Sequence, residues 1–123
     1  MITIKRAYDA PSPSDGTRVL VDGLWPRGIS KDKLKLDMWL KEVAPSASLR
    51  KWFSHDPERW PEFQRRYTDE LKHNAEAWKP IAEAAHKHRV TLIFGSKDVE
   101  HNNAVVLQHF LRAHGKHQGS GSE

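Results

Sequence analysis

Two hydrophobic rhythms run along the chain, and they predict most of its elements. Ile2 to Arg6 alternates β-branched and polar residues, the period of a short strand. Arg18-Val19-Leu20-Val21-Asp22 and Val90-Thr91-Leu92-Ile93-Phe94 are nearly continuous apolar runs, which predicts strands buried on both faces, as in a parallel sheet. A helical rhythm follows elsewhere. Trp60, Phe63, Tyr67 and Leu71 recur every third or fourth residue, so one face of that helix packs inward. Trp78, Ile81, Ala82 and Ala85 mark another helix, and Val105, Val106, Phe110 and Leu111 a last one. Leu36 to Val43 carries both rhythms and is read as a third strand or extended segment.

Turn and cap residues punctuate these segments. Asp9 to Gly16 is packed with Pro, Ser, Asp and Gly and reads as a loop. Trp25-Pro26-Arg27-Gly28 interrupts regular structure, because proline lacks a backbone donor and restricts the residue before it. Ser30 is placed to cap a short turn over Lys31 to Leu34, and Ser46 or Ser48 a helix running through Phe53. Asp56-Pro57-Glu58 is a helix start, with an acid at the cap and proline at the first helical position. Asp98 is expected to cap the final helix, and Gly115 to Glu123 to form a flexible tail. With strands early and late and helices between, the expected architecture is α/β. It is a small parallel or mixed sheet covered by helices in three layers, one domain over residues 1–114.

Composition narrows the function. The chain has no cysteine, which removes disulfides, thiolate nucleophiles and cysteine-based zinc sites. It shows no secretion signal and no apolar run of membrane-spanning length, so the expectation is a cytoplasmic protein without membrane contact. A net charge of +4, with eight histidines in reserve, biases the surface toward anionic partners without selecting among them.

Two loops carry the candidate chemistry. After the last strand, Gly95 permits tight geometry and Ser96 offers a hydroxyl, while Asp98, Glu100, His101, Asn102 and Asn103 fall in or beside the expected first turn of a helix. A helix start is a favourable place for a phosphate or carboxylate, although Asp98 could simply cap it. After the second strand, Asp22 to Gly28 holds Trp25 and Arg27 in a proline-stiffened loop, and arginine grips oxyanions in bidentate fashion. Its alternative is a structural corner in which Trp25 plugs the core and Arg27 pairs with an acid. If the two strands are parallel neighbours, both loops meet at one carboxyl edge, where α/β ligand sites form. Arg6 and Tyr8 could join that rim from the first strand. His55 beside Asp56 could move protons, but the capping of the following helix accounts for Asp56 first.

Other chemistries find no support. No histidine or carboxylate spacing matches a recognised metal motif, and neither a dinucleotide fingerprint nor a phosphate-loop motif occurs, so no cofactor is expected. Ser96 lacks a nucleophile elbow. Arg59, Arg65 and Arg66 on one helix read as a solvated face, or alternatively as phosphate contacts along nucleic acid.

Three stretches carry a resemblance: Arg18 to Gly28 (RVLVDGLWPRG), His55 to Tyr67 (HDPERWPEFQRRY) and Val90 to Leu107 (VTLIFGSKDVEHNNAVVL). In that order they are similar to the YeaO-like family, domain of unknown function 488, over nearly the whole span from Ile4 to Leu111. The resemblance implies a compact α/β domain and transfers no activity. Family members often carry arginine at the position of Gly23, and a tyrosine with small residues where this chain has Phe94-Gly95-Ser96. The functional expectation is therefore an anionic small-molecule site at the strand edge, open to binding or catalysis. It comprises Arg6, Trp25, Arg27, Gly95, Ser96 and Asn102 as ligand contacts and Asp22, His55, Asp98 and His101 as proton-handling groups. The alternative is a nucleic-acid-binding or regulatory module. The oligomeric state is not readable.

Overall fold

The computed structural model describes residues 1–121, with side chains described through residue 114, so the expected tail over 115–123 lies outside the fully described residues. Four strands form one sheet: β1 (Ile2–Arg6), β2 (Thr17–Leu20), β3 (Met38–Trp39) and β4 (Val90–Phe94). Their spatial order is β1-β4-β2-β3, and every pairing is parallel. In register, Ile4 and Val19 flank Leu92 in the centre of the sheet. The strand carrying the longest apolar run, β4, is buried at all five positions, as a central parallel strand must be.

The helices cover the two faces unequally. α2 (Ala47–Phe53), α3 (Trp60–Lys72), α4 (Ala75–Lys87) and α5 (Asn103–Gly121) belong to the larger core, into which Val19, Val21, Leu92 and Phe94 point. Leu20 and Ile93, one residue out of phase, point to the opposite face. There they meet the four-residue helix α1 (Lys31–Leu34), the loop carrying Trp25 and Ile29, and Ala7, Leu36 and Trp39. The period-two alternation within β2 and β4 thus divides one apolar run between two cores.

Caps explain where the helices begin. Ser30 and Ser46 accept the N–H groups of Lys33 and Leu49 and so start α1 and α2. Asp56 accepts from Glu58 N–H and opens a 3₁₀ turn, Pro57–Arg59, that runs directly into α3. On that helix Phe63, Tyr67 and Leu71 are buried, and the Tyr67 hydroxyl donates to Val43 O at 2.5 Å.

The last helix corrects the expectation. It starts at Asn103, not beside Asp98. Asp98 Oδ1 accepts from the N–H groups of Glu100 and His101, a local side-chain turn within an irregular stretch. The cap of α5 is Asn102, whose Oδ1 accepts from Val105 N–H at 3.1 Å while its amide donates to Asp98 O.

On the smaller face, near the amino ends of β2 and β4, a buried charge network holds the sheet to its loops. Asp15 pairs with Arg18 at 2.6 Å and with Lys5 at 3.0 Å, and Arg18 also donates to Leu34 O. Asp15 O accepts from the Thr91 hydroxyl at 2.6 Å. Burial alone would raise the Asp15 pKa. Hydrogen bonds from Lys5, the Ser12 N–H and Arg18 outweigh it and hold the carboxyl below the usual aspartate range.

Candidate functional site

Because β2 and β4 are adjacent and parallel, the loops that follow them leave the same edge of the sheet. One hydrogen bond ties the two loops together: Gly95 N–H donates to Asp22 Oδ2 at 2.8 Å. The loop after β2 is held at three further points. Trp39 Nε1–H donates to Asp22 O at 2.8 Å, Trp25 Nε1–H to Ile29 O at 2.7 Å and the Tyr8 hydroxyl to Arg27 O at 2.8 Å. Trp25 packs edge-on against Trp39 at 5.4 Å and against the smaller core, so it serves as a structural corner while also lining the cavity above. Gly28, at φ 81°, lets the loop turn back.

Above these loops lies a cavity of about 510 Å³. Of the residues singled out in the sequence, Asp22, Trp25, Arg27, His55, Gly95, Ser96, His101 and Asn102 all line it. Arg6 and Asp98 do not. The Arg6 guanidinium donates to Ser96 O at 2.9 Å and stacks over Tyr8, so it braces the rim from outside. Asp98 lies behind His101, its carboxylate 3.0 Å from Nδ1. Ser96 Oγ accepts from Asp98 N–H at 3.1 Å, which engages one of its lone pairs in the turn.

Among the lining residues that sequence reasoning missed, Arg50, Phe53 and Phe63 shape the cavity most. Arg50, on the outer side of α2, reaches the cavity, and a Cβ placed on Gly23 would come within 3.3 Å of its Nη1. Arg50 thus takes the space beside Gly23. Phe63 reads in the sequence as part of an inward helix face and Phe53 as the end of the preceding helix; both are buried, yet they also form a wall of the cavity. Their rings stack at 4.3 Å, and Trp60, outside the cavity lining, packs on Phe63 and makes an edge-on contact with His101 at 5.1 Å. His55 reaches the same wall by a tight turn in which Ser54 and His55 both adopt left-handed backbone angles, φ 45° and 57°.

The electrostatics of the cavity are uneven. Burial pushes the Asp22 pKa above the usual aspartate value. The Gly95 N–H, the Asn103 amide and the charge of Arg50 oppose that shift only in part. Asp98 is held low, first by the His101 N–H and then by Glu100 N–H and the imidazole. Among the described residues, the guanidinium groups of Arg27 and Arg50 form no ion pair and donate no hydrogen bond within the protein. The arginines of α3 and of the turn before it contrast with them. Arg65 and Arg66 both bond Glu62, and Arg59 pairs with Asp56. A larger hollow of about 980 Å³ lies between α3, α4 and α5, floored by Trp78, Ala82, Val106 and Phe110. Its charged groups, Lys72, Lys79 and Glu83, stand on exposed helix positions around an apolar floor, whereas the edge cavity lies where the loops after two adjacent parallel strands meet, and that cavity is the candidate site. No group of three or more histidines and carboxylates is placed to hold a metal ion among the described residues, and no helix there is long and apolar enough to cross a membrane.

Fold and site together define a small parallel α/β domain with a charged cavity at its carboxyl edge. The family model described as "Inactive DUF488-N3 subclade" matches residues 1–123, and the chain belongs to that family. It is 43% identical over 112 residues to "Uncharacterized protein YeaO" of Escherichia coli (strain K12), a match spanning 91% of this chain and 97% of that protein. To "Uncharacterized protein Rv3073c" of Mycobacterium tuberculosis (strain ATCC 25618 / H37Rv) it is 40% identical over 110 residues, 89% of this chain and 92% of the other. No solved structure matches.

Proposed function

We propose that the edge cavity binds a small anionic ligand bearing a phosphate or carboxylate group, and that the protein acts through binding rather than turnover. One observation carries this reading: Arg27 and Arg50 converge on the cavity with no internal partner among the described residues. A guanidinium without a partner on a built pocket is a ready oxyanion grip. His101, oriented by Asp98, adds a further donor, and the capped start of α5 at Asn102 turns backbone N–H groups toward the same region. The description of the family model as an inactive subclade supports binding over catalysis. The nucleic-acid reading is weaker, because Glu62 and Asp56 already occupy the arginines it would need.

Inorganic phosphate, citrate and benzoate, added separately to the protein in a thermal-shift assay, test the proposal. At least one is expected to raise the melting temperature in a concentration-dependent way, as ligands of the folded state do. Loss of that rise in Arg27→Ala would locate it. No stabilisation by any anion would contradict the reading.

A further inference from the structure

The cavity carries a feature that a bare anion does not explain. Asp22 stands at the end of β2, half-buried, with one carboxylate oxygen accepting the Gly95 N–H. An anion seated among Arg27 and Arg50 alone would face this carboxylate as a like charge, which costs affinity in a cavity of reduced dielectric. A ligand suited to the whole cavity must therefore keep its anionic group apart from a hydrogen-bond donor, the first at the arginines and the second at Asp22. The remaining walls are aromatic, with Phe53 and Phe63 stacked on one side and Trp25 on another. About 510 Å³ exceeds what a phosphate or small carboxylate fills and falls in the range of sites for ring-bearing ligands.

Resting on the anion-site reading, we infer that the ligand is a nucleoside monophosphate, its base edge at Asp22 and its phosphate at Arg27 and Arg50. A planar base matches the aromatic walls and brings N–H groups to a carboxylate that otherwise lacks a partner of its own strength. The raised proton affinity of Asp22 agrees with a carboxylate buried ahead of the donor it awaits. Guanine presents two adjacent N–H donors on one edge, so GMP is the expected tightest binder among the common monophosphates.

Isothermal titration of the intact chain with GMP, AMP, CMP, UMP, ribose 5-phosphate and inorganic phosphate tests the inference. GMP is expected to bind at least about tenfold tighter than ribose 5-phosphate, the size of one charge-assisted hydrogen bond. In Asp22→Asn the ratio of the two affinities falls toward one, and in Arg27→Ala both ligands weaken together. If ribose 5-phosphate binds as tightly as every nucleotide, the base-reading inference is overturned while the anion site stands. If none of the six binds, both fail. The wild-type panel decides the matter even where a variant does not fold.

Discussion

Two aspartates flank β2, and the protein treats them in opposite ways. Asp15, before the strand, is gripped by Arg18, Lys5 and the Ser12 N–H, and its pKa is lowered. Asp22, after the strand, has its pKa raised by burial, which the Gly95 N–H, the Asn103 amide and the charge of Arg50 offset only in part. A carboxylate surrounded by donors contributes to stability, whereas one buried with few donors costs it. The amino end of the sheet is thus closed by internal pairing. The carboxyl end keeps a carboxylate and two guanidiniums with unmet bonding capacity around a cavity. Such an imbalance is expected where a ligand is to complete the set of contacts.

Removing one partner from each end should separate the two roles. The largest effect is expected for Asp15→Ala, which leaves Arg18 buried without its carboxylate. The loss should be about 3–5 kcal/mol in urea unfolding. An unchanged midpoint would show that the network at this end does not support the fold. Arg27→Ala should instead leave stability within about 0.5 kcal/mol, because the side chain is exposed and unpaired. It should weaken anion binding by about 1.5–3 kcal/mol, the worth of a charged hydrogen bond.

The pH dependences should have opposite signs. The folded pKa of Asp15 lies below its unfolded value, so its contribution is present above the unfolded value of about 3.9 and is lost as pH falls through the folded one. The folded pKa of Asp22 lies above the unfolded value. Its ionisation therefore subtracts stability as pH rises from about 3.9 through the raised value. Asp22→Asn, which keeps an acceptor for Gly95 N–H, is expected to match the wild type at low pH and exceed it at neutral pH. Denaturant melts from pH 3 to 8 would check this, and a variant less stable at pH 7 would remove the distinction between the two ends. The smallest effect is expected for Tyr8→Phe, which frees the loop carbonyl of Arg27 and should cost about 0.5–1.5 kcal/mol.

Much of this was legible in the residues, and the losses have physical causes. The apolar runs in β2 and β4 predicted buried parallel strands, and their adjacency in the sheet follows that reading. Leu36 to Val43 carried mixed rhythms because only Met38–Trp39 pair with β2 before a 3₁₀ turn takes over. The start of α5 was misread because Asp98 caps a non-helical turn with the same local chemistry that caps helices. Most cavity residues were visible because they lie on the loops that follow β2 and β4. Arg50 was not, since an exposed arginine on a short helix carries no local sign of what it faces in the fold. The double duty of Phe63 was hidden for the same reason, as helical periodicity reports burial and not what lies beyond the ring, and Phe53 marked only the end of a helix.

The most direct test follows backbone amide signals by NMR while phosphate, and then GMP, is titrated into the intact chain. Saturable shifts centred on Gly23, Gly95, Ser96 and Asn102, with the α4 signals unmoved, are the predicted result. Shifts concentrated instead around Trp78 and Phe110, or no saturable shift with either ligand, would contradict a binding site at the carboxyl edge.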